Sequence, residues 1–131
     1  MITDRIFELR EIGDSKALLK SREEELATPL LKDKTKLKDI YEIVKSECLN
    51  NKSLTNYDAK EYFITIAVFL YSPNSFGGDR FIIGLRDEVA KVAGISPERV
   101  SNIFRIVRDW VYLYRNFREG VEYLYSKVIK N

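Results

Sequence analysis

The sequence has no histidine, one cysteine, one methionine, one tryptophan and three prolines in 131 residues. Without histidine there is no imidazole base and no histidine metal ligand, which excludes serine–histidine and cysteine–histidine nucleophilic centres. Cys48 alone supports neither an internal disulfide nor a thiolate metal cluster. It falls in an apolar-periodic stretch and reads as a small buried hydrophobe. Such cysteine poverty fits a reduced cytoplasm, the host's if the protein is viral. Long apolar runs are missing too. The greasiest stretch, YFITIAVFLY (Tyr62–Tyr71), is ten residues long, about half of what a membrane-spanning helix needs. The opening MITDRIFELR lacks the basic-then-apolar pattern of a signal peptide. No membrane partner is therefore expected. Paired carboxylates such as Asp87-Glu88 exist, but adjacent positions on a helix face different ways. An oxygen-ligand magnesium site stays open, with nothing to mark one. The expectation is a protein that is not an enzyme and uses no cofactor or metal.

What is present suits a packed helical domain. Hydrophobic residues make up 45% and charged residues 32%, a globular rather than disordered balance. Eight tyrosines and seven phenylalanines demand burial or an interface for several of them. The formal net charge is only +2, and its distribution says more. Residues 1–78 carry 12 Lys and Arg against 13 Asp and Glu, whereas residues 79–131 carry 10 against 7. Lysine dominates the first part. Arg80, Arg86, Arg99, Arg105, Arg108, Arg115 and Arg118 dominate the second. Arginine suits phosphate and guanine because its planar fork donates two parallel hydrogen bonds. The plainer alternative is that these arginines only solvate helix faces.

Apolar spacing at 2–27 predicts a first helical region that Gly13-Asp14 can interrupt and Pro29 breaks. LKDKTKLKD (Leu31–Asp39) reads as a linker and solvated helix start. A helix then runs through Leu37, Ile40, Tyr41, Val44 and Cys48 to Asn50-Asn51. Thr55-Asn56 offers the next N-cap, with Asp58 and Glu61 in the first turn. The following segment is apolar nearly all round and predicts a central core helix, with a buried strand as the alternative for FITIAVFL. In SPNSFGGD (Ser72–Asp79), Pro73, Asn74, Gly77 and Gly78 predict an irregular loop. Its two glycines lack the spacing and the following lysine of a phosphate-binding loop. Phe81 to Ala93 predicts one helix and Pro97 opens another. No glycine or proline then follows until Gly120, so residues 97–118 form either one long helix or two with a break near Asp109.

The most informative stretch is RDEVAKVAGISPERVSNIFR (Arg86–Arg105). Small Ala90 permits close helix approach, and Gly94 can take the left-handed conformation that ends a helix. Ile95 can plug the angle between two helices. Ser96-Pro97-Glu98 reads as an N-cap, a first-turn proline and an acidic first-turn residue. This segment resembles the helix-turn-helix of DNA-binding proteins, whose second helix lies in the major groove. The resemblance implies double-stranded DNA as partner. Early positions of the second helix would face it: Arg99 and Asn102 toward base edges, Ser96 and Ser101 toward phosphates, Arg105 and Arg108 toward the flanking backbone. Lys91 would touch a phosphate across the groove. Glu98 would accept from cytosine or only stabilise the helix N-terminus. Arg99 can instead pair with Glu98 or Asp87.

The expected fold is all-α: a bundle of about five to six helices with a C-terminal helix-turn-helix and a long aromatic-rich final helix region. Residues 1–71 form an N-terminal helical and oligomerisation region, and residues 79–131 the helix-turn-helix and C-terminal helices, within one compact unit. Phe104, Val107, Trp110, Val111, Tyr114 and Phe117 recur at three and four and suggest an oligomer interface. One helix-turn-helix covers little DNA, so a homo-oligomer is expected. The arrangement LYSPNSFGGD…GLRDEVAKVAGISPERVSN is also similar to small proteins of phage gene clusters. That similarity implies a ring-forming small terminase subunit, which recognises packaging DNA and works with a large terminase. A dimeric transcriptional regulator is the other DNA-binding expectation. From a different class, the chain could be a protein-interaction helical module that ignores DNA.

Overall fold

The computed structural model describes residues 1–130. Among them the chain forms six α-helices and no strand: α1 (Ile2–Ala27), α2 (Leu37–Asn50), α3 (Ala59–Tyr71), α4 (Leu85–Ala93), α5 (Pro97–Leu113) and α6 (Arg115–Ile129). The expected all-α bundle is the observed fold. No described helix is long and apolar enough to cross a membrane.

α3 is the axle. Nine of its 13 residues are buried, and α2, α4, α5 and α6 all pack against it. FITIAVFL is therefore helical, with its apolar residues shared among several neighbours. Its start lies later than Thr55-Asn56. The Asp58 side chain accepts from Lys60 N at 2.8 Å, while Glu61 Oε1 accepts from Asp58 N at 2.7 Å. This reciprocal pair forms a capping box and satisfies two otherwise orphan donors. Thr55-Asn56 falls instead in a turn that follows the 3₁₀ helix Lys52–Leu54.

One hydrophobic cluster runs from Leu37 to Val128. The stretch between residues 71 and 79 is thus a connection inside a single core. It is also more regular than its proline and two glycines suggest. Pro73–Gly77 forms a 3₁₀ helix that Gly78 ends at φ 106°. Ser72 and Ser75 are both buried and their hydroxyls lie 2.9 Å apart. The first helix of the motif begins at Leu85 rather than Phe81, because Ile83-Gly84 form a turn with Gly84 at φ 85°.

α5 and α6 are separate helices, and the break falls at Tyr114 rather than near Asp109. Tyr114 adopts φ −120°, ψ 110°. No glycine or proline causes this. The extended residue redirects the chain so that Phe117, 0% exposed, enters the core. Phe117 stacks on Tyr62 with ring centroids 5.2 Å apart, and meets the edges of Tyr57 and Trp110 at 4.9 Å and 5.5 Å. Such aromatic burial outweighs the loss of one helical residue's hydrogen bonding. Gly120 does not end a helix. It sits inside α6, where a Cβ would lie 2.7 Å from the Tyr62 hydroxyl oxygen.

α1 stands outside this core. It is continuous through Gly13-Asp14 and has no buried residue. Its root is held by the N–H groups of Leu30 and Leu31, which donate to the Leu70 carbonyl at 2.9 Å and 3.0 Å.

Candidate functional site

The turn between α4 and α5 is built by three local devices. Gly94 closes α4 in the left-handed conformation at φ 71°, ψ 34°. A Cβ there would meet nothing within 4 Å, so backbone conformation alone calls for glycine. Ile95 N then donates to the Ala90 carbonyl at 3.0 Å. Ser96 Oγ accepts from Arg99 N at 3.2 Å and caps α5, with Pro97 in its first turn. Ala90 and Val100 are buried, and Ile95 is half-buried against the core.

This geometry turns the start of α5 outward. Lys91, Ser96, Glu98, Arg99, Asn102, Arg105 and Arg108 are exposed, and Ser101 is half-buried. The residues divide into two groups. Arg99 and Asn102, three apart, flank the outermost face of the first two turns with Glu98. Ser101, Arg105 and Arg108 recur at four and three and line one side of a cleft.

The cleft lies between α5 and the segment that leads into α4. It has a volume of about 620 Å³ and an aromatic floor of Phe81 and Phe104. Four arginines line it: Arg80, Arg86, Arg105 and Arg108. Asp79 and Asp87 are the opposing charges, and Asp79 is engaged by the side-chain amide of Asn74. Arg86 Nη1 donates to Ser101 Oγ at 3.4 Å. None of these four arginines, nor Arg99, forms an ion pair among the described residues. The expected alternative of Arg99 held by Glu98 or Asp87 is thereby overturned. Unpaired guanidinium groups around a concave surface can accept an anion bidentately, as phosphate oxygens allow.

The sequence places Arg80 only beside a loop that can pass near a DNA backbone, and Arg86 only within the arginine bias. Their sequence neighbourhood gives no spacing that relates them to Arg105 and Arg108. The Phe81–Phe104 contact, 5.0 Å between centroids, is what brings the two segments together.

The proposed oligomer seam needs correction. Phe104, Val107 and Phe117 are buried in the chain's own core, where Phe104 packs against Phe76 and Phe81. Trp110 and Val111 are half-buried against that core, and Tyr114 is exposed. The three-and-four repeat was real, but it records intramolecular packing. Cys48 is half-buried rather than fully enclosed.

Neither a known protein family, nor a curated protein, nor a solved structure matches this chain.

Proposed function

We propose that this chain is a non-enzymatic, oligomeric DNA-binding protein of helix-turn-helix type. In this reading the N-terminal turns of α5 enter the major groove, with Arg99 reading guanine and Asn102 reading adenine. Arg80, Arg86, Arg105 and Arg108 hold the adjacent phosphate strand, and Lys91 reaches a phosphate from the end of α4. The observation that carries it is the conjunction of an outward, capped helix start with a cleft of unpaired arginines beside the same helix. Glu98 serves the helix N-terminus, where negative charge is favourable.

The test is duplex affinity as a function of salt, measured by fluorescence anisotropy on duplexes selected from a randomised pool. Log affinity should fall linearly with log salt, by about 0.9 for each phosphate neutralised. Arg105→Ala and Arg108→Ala should each flatten that slope by about one unit and weaken all duplexes alike. Arg99→Ala and Asn102→Ala should cost about 1–3 kcal/mol on the selected sequence and little on others. Absence of duplex affinity at low salt overturns the proposal and favours a protein-interaction module. So does binding indifferent to Arg99 and to the cleft.

Two biological roles fit a protein of this kind. A dimer that reads a palindrome is a transcriptional regulator. A closed ring of many subunits is a phage packaging adaptor that passes DNA to a large terminase. Mass in solution separates them.

A further inference from the structure

Eight large apolar side chains of α1 are between 45% and 75% exposed, among them Ile2, Leu9, Ile12, Leu19 and Leu26. These five are regularly spaced, whereas Ile6, Phe7 and Leu18 fall outside the series. Ile2 and Leu9 lie seven apart, as do Ile12, Leu19 and Leu26, and the two series are offset by three. That is the repeat of a helix that wraps left-handedly around another, since a strict seven-residue stripe drifts by about 20° per repeat on a straight helix. Within the chain, α1 packs mainly against the 3₁₀ helix Pro73–Gly77 and lies along no other helix.

We propose that α1 pairs antiparallel with α1 of a second copy of this chain, in a register centred on Asp14. Ile2 then meets the partner's Leu26, and Leu9 meets the partner's Leu19. Ile12 meets the partner's Lys16, whose methylene stem covers the isoleucine while its ammonium reaches water. Arg5 meets the partner's Glu23. Charge selects this orientation. A parallel pair would set Arg5, Lys16 and Glu23 each against its own copy. An antiparallel pair shifted by one repeat would set Arg5 against Lys16 in one direction, and in the other would leave Ile2 and Arg5 beyond the end of the partner's α1. Only the centred antiparallel register uses the whole helix and joins opposite charges.

Two further features agree. Gly13 lies mid-helix without a positive φ, and a Cβ there would meet nothing within 4 Å. A helix-interior glycine costs roughly 0.5–1 kcal/mol relative to alanine, and nothing in the chain itself calls for it. In the paired register Gly13 lies beside the two-fold axis, level with the partner's Ser15, where a missing Cβ lets the backbones approach. A groove of about 420 Å³ also separates the C-terminal half of α1 from the 3₁₀ helix, with Leu19 and Leu26 on one wall and Pro73 and Phe76 on the other. The N-terminal turns of the partner's α1 would enter this groove. The proposal deepens the oligomeric part of the function proposed above and is independent of DNA binding.

Sedimentation of the full-length chain at micromolar concentration tests it. The wild type should be a dimer. Leu9→Glu combined with Leu19→Glu should yield monomers whose Trp110 fluorescence and core unfolding are unchanged, because neither position is buried in the chain itself. Arg5→Glu should weaken association about tenfold, and adding Glu23→Arg should restore it. In a Cys48→Ala background, Ile2→Cys with Leu26→Cys should cross-link two chains on oxidation, while Ile2→Cys alone should not. A monomeric wild type, an assembly that survives the double glutamate change, unrescued charge reversal, or a cross-link through Ile2→Cys alone would each overturn the proposal. Duplex binding by separate chains would remain measurable in every case, so the two proposals fail independently.

Discussion

At the scale of single residues, Tyr62 leaves Gly120 the least room of any glycine in the chain. The Tyr62 hydroxyl is buried and finds no hydrogen-bond partner among the described residues. It points at the Cα of Gly120, and added side-chain atoms there would fall within 3.0 Å of three Tyr62 ring and hydroxyl atoms. Helix propensity alone would favour Gly120→Ala by about 1 kcal/mol. Overpacking opposes it by about 1–3 kcal/mol. We expect a net loss of stability in denaturant unfolding. Tyr62→Phe should instead raise stability by about 1 kcal/mol, because it removes a desolvated, unbonded hydroxyl. It should relieve the alanine clash only in part, since two ring carbons remain close. None of this was legible in the sequence. Gly120 reads locally as a helix breaker, and only the approach of a residue 58 positions earlier reveals its use. The same holds for Asp58, whose competitor caps Thr55 and Asn56 lie just upstream.

At the scale of elements, the α4–turn–α5 unit was legible almost residue by residue, because glycine, serine and proline there act through local backbone chemistry. The cost of disturbing it is correspondingly local. Gly94→Ala forces a side chain into the left-handed region, at roughly 1–2 kcal/mol. Ser96→Ala removes the α5 cap, at roughly 0.5–2 kcal/mol. Thermal unfolding of the two variants should show both losses. The α5–α6 break was not legible. Tyr114 carries no breaking chemistry, and the burial of Phe117 decides the matter through contacts with Tyr57 and Tyr62 on the other side of the core. For the same reason Phe104, Val107 and Phe117 read as an intermolecular face although the chain's own core buries them: periodicity reports that a face is buried, not what buries it. The cleft was half visible. Arg105 and Arg108 follow from helical spacing, whereas Arg80 and Arg86 join them only through the packing of Phe81 on Phe104.

At the scale of the whole molecule, stability depends on tyrosines kept neutral in the core. Burial pushes Tyr62 up to about 12 from its ordinary 10, with smaller contributions from Cys48, Tyr57 and Glu61. Burial likewise pushes Tyr71 up to about 12, reinforced by Asp33. The Tyr71 hydroxyl also donates to the Asp33 carbonyl at 2.5 Å. In the unfolded chain both phenols release their protons near pH 10, while the folded chain retains them to about 12. Their contribution is therefore fully present below pH 10 and is lost as the pH rises from there through about 12. Denaturant midpoints should be level up to about pH 9 and fall by about pH 11, with Tyr71→Phe reducing the fall. Absorbance should show these tyrosinates forming only as the protein unfolds.

The clasp at the root of α1 has a geometric consequence. The Leu70 carbonyl, at the C-terminal end of α3, accepts from two successive N–H groups. A helix-end acceptor that water would otherwise satisfy is thus spent on anchoring the arm. An arm fixed at its base behaves as a bracket rather than a tether. Whatever grips its far end inherits the orientation of α3 and, through it, of α5. Joining two such brackets would set the distance between their leading helices as a built-in ruler, and the spacing of any sites they read together would be dictated by the bracket's length.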